Sequence, residues 1–330
     1  MKTFTVVAPV YNEAPVIGAF YAEVKSVLAG VADRYESRIL FVVDRSEDGT
    51  LDILKGIAAS DPAVTILAMS ARFGHQMSLL AGVDASDSDA VIMMDSDLQH
   101  PPALIPEMLA LFESGYDIVY TVRQDTPEIN WLKRTSSKLF YRLINRISDV
   151  PINESAADFR LVSRRVATLF RTEIRERNLF FRGMMGWIGF KSVALPFRVR
   201  TRPAGRTKYS IRRMIRFGMD GVVSFSKSPL QAAIAVGLLF AVFGFGFALV
   251  TVAQYFLYAS LPKGWATLAI LLSILSGIQL IFLGVIGAYI GAIFDEVKAR
   301  PHYIVEERIN LPEQMKAPST ARPNGAPAKL

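Results

Sequence analysis

Short apolar runs alternate with amphipathic segments along the N-terminal part of the chain, and two much longer apolar runs follow near the C-terminus. The short runs have the length and composition of buried strands, and the segments between them have the periodicity of helices. Strands that alternate with helices at this spacing predict an α/β fold, with a parallel sheet covered by helices on both faces. The predicted strands are Thr3–Val10, Arg38–Val43, Val64–Met69, Ala90–Met94, Asp117–Arg123 and an edge strand at Val193–Thr201, with helices at Ala14–Leu28, Leu51–Ala59 and His75–Ala85.

The two long apolar runs predict membrane helices. No charged residue occurs in 228–262 or in 264–294, and each run exceeds the roughly 20 residues that cross a bilayer. We therefore predict spans at Ala232–Tyr258 and Trp265–Phe294. Basic residues precede the first span and follow the second, so the positive-inside rule places both termini and the N-terminal domain in the cytoplasm. The expected location is the inner (plasma) membrane, as a multi-pass protein.

Composition narrows the class of partner. The chain has no cysteine, which excludes a disulfide framework and a Cys-ligated metal. Its net charge of +7 suits either nucleic acid or an anionic membrane surface. Because two spans are predicted, the bilayer is the simpler partner, and no nucleic acid is expected. Pro9, Asn12 and Glu13 interrupt the apolar start of the chain, so it does not have the pattern of a signal peptide.

Two further segments, Trp131–Ile147 and Ile211–Ser226, combine basic and apolar residues and predict helices that lie on a membrane surface. A core helix with a solvated basic face is the alternative for the first of them. The predicted domains are a large cytoplasmic domain at 1–210, a juxtamembrane amphipathic helix at 211–230, a transmembrane hairpin at 231–294 and a cytoplasmic tail at 295–330. The composition from Pro312 onward, rich in Pro and Ala, predicts disorder at the end of the tail.

Carboxylates follow two of the predicted strands. Asp95 and Asp97 come directly after one strand, and Asp44 follows another. The carboxyl ends of parallel strands meet at one edge of the sheet, where ligands bind in such folds. Oxygen ligands of this kind suit a hard cation such as Mg²⁺ or Mn²⁺ shared with a substrate phosphate. His100, which precedes a Pro-Pro pair, is expected to be structural rather than a metal ligand.

In its ordered motifs the chain resembles the membrane-anchored, GT-A-type family 2 glycosyltransferases that load a sugar onto polyprenyl phosphate. Bactoprenyl (undecaprenyl) phosphate glucosyltransferases and dolichyl phosphate mannose synthases are members of this group. The resemblance covers nearly the whole ordered chain, from Val6 to about Phe294. The matching stretches are Val7–Glu13, Asp44–Thr50, Arg72–Gln76, Asp95–Pro102, Asp158–Leu161, Trp187–Phe190, Arg206–Ser210 and Ser224–Ser226, followed by the two apolar runs.

The resemblance implies a GT-A catalytic domain, Rossmann-like with a mostly parallel sheet, followed by two transmembrane helices. It implies inverting transfer of one sugar from a nucleotide-sugar to polyprenyl (undecaprenyl) phosphate at the cytoplasmic membrane face. The product would be a lipid-linked donor for modification of cell-envelope glycans. UDP-glucose is favoured by frequency within the family, and N-acetylglucosamine, galacturonic acid, 4-formamido-arabinose and mannose stay open. A homo-oligomer is expected, with a tetramer as one candidate.

Residue roles follow from matching positions. The resemblance implies that the divalent ion is held by Asp95, Asp97 and Gln99, and that the nucleotide-sugar is bound by Pro9, Tyr11, Glu13, Asp44, Asp95, Arg206 and Lys208. Arg206 and Lys208 belong to a basic loop that could close over the diphosphate. Candidates to hold the lipid phosphate are Arg123, Arg134 and Ser137, because a guanidinium fork matches phosphate oxygens.

Asp158 matches the catalytic base proposed for the family. The acceptor is a phosphate monoester whose second pKa is about 6, so it is mostly dianionic at neutral pH and needs little deprotonation. We therefore expect Asp158 mainly to orient the acceptor or the sugar. The alternative is a structural Asp158 paired with a nearby Arg.

One departure from the family pattern concerns the second strand end. The family often has Asp-Asp-Gly-Ser where this chain has Val43-Asp44-Arg45-Ser46. The first carboxylate and the glycine are absent, which leaves open how the nucleotide base is bound.

Two other functions compete with sugar transfer to a lipid. A processive polysaccharide synthase shares the fold and the Asp-x-Asp motif, but it has a Gln-x-x-Arg-Trp motif and usually more spans. No such motif surrounds any of the three Trp residues. A non-catalytic membrane assembly protein on a degenerate fold is the second alternative, and it is supported only by the missing carboxylate at Val43.

Overall fold

The computed structural model describes residues 1–124, 156–177, 179–198, 228–258 and 264–311. Both predicted surface helices, at 131–147 and 211–226, lie outside these residues, as do Arg134, Ser137, Arg206 and Lys208. The described residues form two compact units: residues 1–124, 156–177, 179–198 and 300–311 belong to the first, and residues 228–258 and 264–299 belong to the second.

Four parallel strands form the centre of the sheet. They are β1 (Lys2–Val10), β2 (Tyr35–Val43), β3 (Val64–Met69) and β4 (Ala90–Met93), in the order β4-β1-β2-β3. The helices that connect and cover them are α1 (Ile17–Ala29), α2 (Thr50–Ser60) and α3 (His75–Asp84). Because helices cover such a sheet on both faces, its strands are continuous apolar runs rather than alternating ones. The predicted strand and helix alternation is confirmed here.

The other half of the sheet is mixed. A 3₁₀ turn at Pro102–Leu104 leads into α4 (Ile105–Glu113), followed by β5 (Ile118–Arg123), β6 (Ala156–Ser163), α5 (Arg164–Thr172), α6 (Phe181–Trp187) and β7 (Ser192–Phe197). Strand β6 lies between β4 and β5 and is antiparallel to both, whereas β5 and β7 are parallel. Strand β6 was not predicted, because buried charged residues break its apolar pattern.

Helix α3 packs unusually close to β1. A Cβ atom added at Gly82 would lie 2.1 Å from Cγ1 of Val7, a distance that real side chains do not tolerate. Glycine is therefore required here by close approach rather than by backbone conformation. This contact fixes α3, whose first residue is His75, over the carboxyl end of the central strands.

The first part of the predicted tail at 295–330 contains regular structure that the sequence pattern did not predict. The second long helix continues to Val297, and residues 305–309 then form β8 (Val305–Ile309), which pairs antiparallel with β3 at the edge of the sheet. The sheet order is therefore β7-β5-β6-β4-β1-β2-β3-β8. A five-residue strand with three consecutive charged residues has too weak an apolar pattern to be recognised without its partner strand.

Residues 300–311, here called the return segment, are held to the N-terminal domain by side chains as well. Tyr303 Oη donates a hydrogen bond to Asp84 Oδ2 over 2.7 Å, and Arg175 Nη1 donates to both oxygens of the same buried carboxylate over 2.8 and 2.9 Å. The backbone N–H of Ser70 donates to the Ile304 carbonyl over 3.0 Å. The return segment is therefore part of the sheet domain.

The second unit contains α7 (Ser228–Tyr258) and α8 (Trp265–Val297), which contact each other. Both are long and apolar enough to cross a membrane, over Leu230–Phe247 and Ile274–Val297. Large apolar side chains such as Phe243 and Leu280 are exposed along them. A water-soluble protein would bury such surfaces, whereas lipid accommodates them.

Candidate active site at the carboxyl edge of the sheet

The turn after β4 carries the predicted metal ligands. Ser96 is buried, and its Oγ donates to the Pro9 carbonyl over 3.0 Å, which ties the turn to the end of β1. Asp97 Oδ1 accepts the Gln99 N–H over 3.1 Å. Leu98 adopts the left-handed conformation, with φ of 63°, which is costly for such a side chain and typical of functional turns. Asp95, Asp97 and Gln99 are all half-buried, so a ligand can reach them.

His100 stabilises this turn through a hydrogen bond with the Asp95 backbone. Its Nδ1 accepts the Asp95 N–H over 3.1 Å, and its ring stacks on Phe159 with centroids 5.4 Å apart. Burial lowers the pKa of His100, so the imidazole is neutral and Nδ1 can act as an acceptor. These contacts agree with the structural role that the sequence predicts for His100.

Asp44 lies at the end of β2 and organises the loop before α3. Its two carboxylate oxygens accept the N–H groups of Phe73, over 2.8 Å, and Gly74, over 2.9 Å. Arg72, in the same loop, lies over the Tyr11 ring, 4.0 Å from its centroid. The structure thus brings Asp44 and Tyr11, two predicted nucleotide-binding residues, to one loop.

The two departures at this strand end have structural explanations. Val43 is almost completely buried, so an Asp at this position would place a carboxylate in the core. Arg45 Nη1 donates to the Ser70 carbonyl over 3.0 Å. Arg45 therefore supports the same loop that Asp44 organises.

Asp95 and Asp158 face each other across the β4–β6 pair. Met93 lies opposite Arg160 in that antiparallel register, and two residues further along it Asp158 comes opposite Asp95. His75 Nε2 lies 3.5 Å from Asp95 Oδ1 and 3.5 Å from Asp158 Oδ2. Burial alone would lower the pKa of His75, but these two carboxylates outweigh it and the pKa is raised.

Asp158 is held by two arginines. Arg182 forms a fork, with Nε donating to Oδ1 over 3.0 Å and Nη2 donating to Oδ2 over 2.9 Å. Arg160 Nη2 donates to Oδ1 over 3.0 Å. Burial alone would raise the pKa of Asp158, but hydrogen bonds from His75 and Arg182 and the charges of both arginines hold it well below its usual range. Such a carboxylate is a weak proton acceptor at neutral pH.

Three residues of the site had no role in the sequence-based prediction. Arg160 and Arg182 pair with Asp158, and His75 lies between the two carboxylates. The motifs Arg72–Gln76 and Asp158–Leu161 contain two of them, so a signal was present for His75 and Arg160. Arg182 lies in α6, outside the matching stretches.

Arg123, a predicted ligand of the lipid phosphate, is the last residue of β5. Strand β5 runs in the same direction as β4, since both are antiparallel to β6, so Arg123 lies at the same edge of the sheet as Asp95.

Glu13, a predicted nucleotide-binding residue, lies in the loop after β1. Its backbone N–H donates to Thr50 Oγ1 over 3.1 Å, which joins this loop to the start of α2.

The central strand order and the carboxylates after β4 define an α/β fold with a candidate ligand site at the carboxyl edge of its sheet. The family model for glycosyl transferase family 2 matches residues 5–170, and the chain belongs to that family. It is 38% identical to the uncharacterized glycosyltransferase YkcC of Bacillus subtilis (strain 168), over 93% of this chain and 94% of that one. It is 35% identical to the bactoprenol glucosyl transferase of Shigella phage SfII, over 92% of this chain and 97% of that one.

Solved structures of glycosyltransferases are also similar to this chain. A mannosyltransferase from Pyrobaculum calidifontis in complex with GDP-mannose and Mn²⁺ has a TM-score of 0.47 at 18% identity, covering 89% of this chain and 86% of that one.

Proposed function

We propose that the protein transfers one sugar from a nucleotide-sugar, with UDP-glucose as the favoured donor, to polyprenyl phosphate at the cytoplasmic membrane face. The main observation behind this proposal is that one site contains both the half-buried Asp95–Asp97 turn and the buried Asp158. Arginines bind Asp158, so its carboxylate is not placed to act as a base. Similarity to bactoprenol glucosyl transferase over nearly its whole length supports the lipid acceptor. The two exposed apolar helices support a membrane-bound enzyme.

The residues of the turn suit a divalent ion that also binds the substrate. Among the described residues there is no group of three or more His, Cys, Asp or Glu side chains placed to enclose a metal. Two accessible carboxylates and an amide fit an ion that takes its other ligands from a diphosphate, as Mg²⁺ commonly does. Asp95, Asp97 and Gln99 would hold Mg²⁺ or Mn²⁺, which would neutralise charge on the leaving diphosphate.

The nucleoside is proposed to bind between the loops after β1 and β2. Pro9, Tyr11 and Glu13 follow or end β1, and Asp44 fixes the loop that places Arg72 over Tyr11. Arg206 and Lys208 are proposed to close over the diphosphate and exclude water that would hydrolyse the donor.

The chemistry then needs no protein base. An oxygen of the lipid phosphate attacks the anomeric carbon, a C–O bond forms, and the bond to the diphosphate breaks with its electron pair on the departing nucleotide. Attack opposite the leaving group inverts the anomeric centre. The lipid phosphate is mostly dianionic at neutral pH, so the strongly acidic Asp158 is consistent with an orienting role.

The return segment bears on membrane topology. Strands β7 and β8 belong to one sheet, so the chain leaves the catalytic domain after β7 and is back in it at β8. Between these points it must cross a membrane an even number of times, as two spans would. Together with the basic residues that flank the spans, this supports a cytoplasmic domain and cytoplasmic termini. Assembly into a homo-oligomer, for which a tetramer is one candidate, remains part of the proposal.

A donor panel tests the proposal. Purified protein in detergent or nanodiscs is incubated with undecaprenyl phosphate, labelled nucleotide-sugars, and Mg²⁺, Mn²⁺ or EDTA, and lipid products are separated by chromatography. We expect a lipid carrying a single sugar, formed from UDP-glucose only when a divalent ion is present. A polymeric product would establish a processive synthase instead. No lipid product from any donor would contradict the proposal and favour a non-catalytic protein.

A further inference from the structure

Resting on the proposed function, we infer that Arg182 binds the phosphate of the lipid acceptor and that α6 guides the first part of the isoprenoid past Trp187. Neither residue belongs to the set predicted to hold the lipid phosphate. The inference concerns the acceptor side of the site, whereas the Asp95–Asp97 turn serves the donor.

The first argument is the different exposure of the two arginines that hold Asp158. The Arg160 side chain is 3% exposed and Arg182 is 26% exposed, although both contact the same carboxylate. Arg160 is enclosed by protein, and burial lowers its pKa to about 10. Of these two, Arg182 is the guanidinium that a ligand from solvent can reach, and its Nη1, which makes neither of the two bonds to Asp158, can donate to a phosphate oxygen.

The second argument is electrostatic. An incoming phosphate dianion would be repelled by Asp158 if that carboxylate were unpaired. Two arginines, Arg160 and Arg182, pair with Asp158. The cations outnumber the charge of Asp158, so this side of the site attracts an anion. Asp158 then has a clear task, which is to fix the Arg182 fork in one orientation.

The third argument is that α6 is rigidly attached to the donor side. Phe181 stacks on Phe170 with ring centroids 4.7 Å apart, and its N–H donates to Gln76 Oε1 over 3.3 Å. Gln76 follows His75 in α3. The first turn of α6 is therefore held next to the residues that contact Asp95 and Asp158, which is where an acceptor phosphate must arrive.

The fourth argument is the exposure of Trp187, the last residue of α6. Trp187 is 63% exposed, which is unusual for a Trp in a folded domain. It follows Arg182 by five residues, so the two lie about 7.5 Å apart along the helix axis and about 140° apart around it, at 1.5 Å per residue and 3.6 residues per turn. A charged group and an exposed aromatic ring on one short helix match an acceptor with a phosphate head and an apolar chain.

Acceptor binding and transfer are measured separately to test the inference. Binding of a short acceptor, geranyl phosphate, and of undecaprenyl phosphate is measured by fluorescence titration of the full chain in nanodiscs. Transfer is measured with the same two acceptors and labelled UDP-glucose. We expect Arg182→Met to raise the Kd and KM of both acceptors by about 10- to 100-fold, with UDP binding changed less than twofold. Arg182→Lys, which keeps the charge but loses the fork, is expected to lie between Met and the native residue.

Trp187→Ala gives a distinct expectation. It should raise the KM for undecaprenyl phosphate by about tenfold and leave the KM for geranyl phosphate nearly unchanged, because only the longer chain reaches the ring. Arg165→Met is the matched control, since Arg165 is an exposed arginine on the neighbouring helix α5. It should leave both acceptors and UDP unaffected.

The outcomes separate this inference from the proposed function. If the unaltered protein binds the acceptor but transfers no sugar, and Arg182→Met binds the acceptor weakly, the result would support the inference and contradict the proposed function. Normal acceptor binding by folded Arg182→Met and Arg182→Lys, in an enzyme that transfers sugar, would overturn the inference alone. Failure of the unaltered protein to bind either acceptor would overturn both. Equal losses for both acceptors in Trp187→Ala would overturn the part that concerns the isoprenoid.

Discussion

Asp95, in the turn after β4, and Asp158, in β6, both lie close to the imidazole of His75, whose Nε2 is 3.5 Å from an oxygen of each. Asp95 belongs to an accessible turn, whereas Asp158 is buried and paired with two arginines. Two carboxylates in such different surroundings have different tasks. We propose that Asp95 serves the metal-bound donor and that Asp158 orients the acceptor side.

Removing a metal ligand should abolish transfer. Asp97→Asn keeps the shape of the side chain but loses the negative charge that a hard cation requires, so we expect kcat/KM to fall by about 100-fold or more. Transfer at several Mn²⁺ concentrations measures this, and EDTA should stop the native enzyme reversibly. Asp33→Asn, at an exposed position after α1, is the control. Activity of Asp97→Asn near the native level at ordinary metal concentrations would contradict the metal assignment.

The pH dependence should report the acceptor rather than Asp158. The pKa of Asp158 lies well below its usual range, so this carboxylate stays ionised as the pH falls from 7 to 5. The second pKa of a phosphate monoester is about 6, and protonation of the acceptor should lower kcat/KM below that pH. We expect the same midpoint in native enzyme and in Asp158→Asn, with the variant slower at every pH. Loss of the acidic limb in Asp158→Asn would instead identify Asp158 as a base.

Gly82→Ala should destabilise the domain. The added methyl group would lie 2.1 Å from Val7 Cγ1, and forced overpacking of this kind costs about 1–3 kcal/mol. Thermal unfolding followed by circular dichroism is the measurement. Gly18→Ala, a helical glycine with open space around it, is the control and should be neutral or stabilising. Adding Val7→Ala to Gly82→Ala should recover part of the loss, and no recovery would place the strain elsewhere.

Tyr303→Phe should weaken attachment of the return segment. It removes the hydroxyl that donates to the buried Asp84 carboxylate, while the ion pair of Asp84 with Arg175 stays in place. We expect a loss of about 1–2 kcal/mol in unfolding free energy. Glu307 of the return segment forms an exposed ion pair with Lys55. Glu307→Gln breaks this pair and should lower the unfolding free energy by no more than about 1 kcal/mol. Equal effects of the two variants would show that the Tyr303 contact has no special role.

Hydrophobic periodicity determined the central part of this fold. The four parallel strands contain continuous apolar runs, and the two long helices lack charged residues over 228–258 and 265–294, so local sequence was sufficient to predict both. Strands β6 and β8 could not be predicted in this way. Asp158 and Arg160 are tolerable inside β6 because they neutralise each other, and β8 is a strand only because β3 offers it an open edge.

The candidate site also has features that the sequence predicts and features that only the tertiary structure shows. The sequence by itself determined the Asp95–Asp97 turn and the position of Asp44 at a strand end, because these depend on residue type and on the local end of a strand. Only the tertiary structure decided that Asp158 lies opposite Asp95, that His75 lies between them and that Arg182 holds Asp158. These relations join residues far apart in the chain, and they arise from strand register and helix packing, which no local pattern encodes.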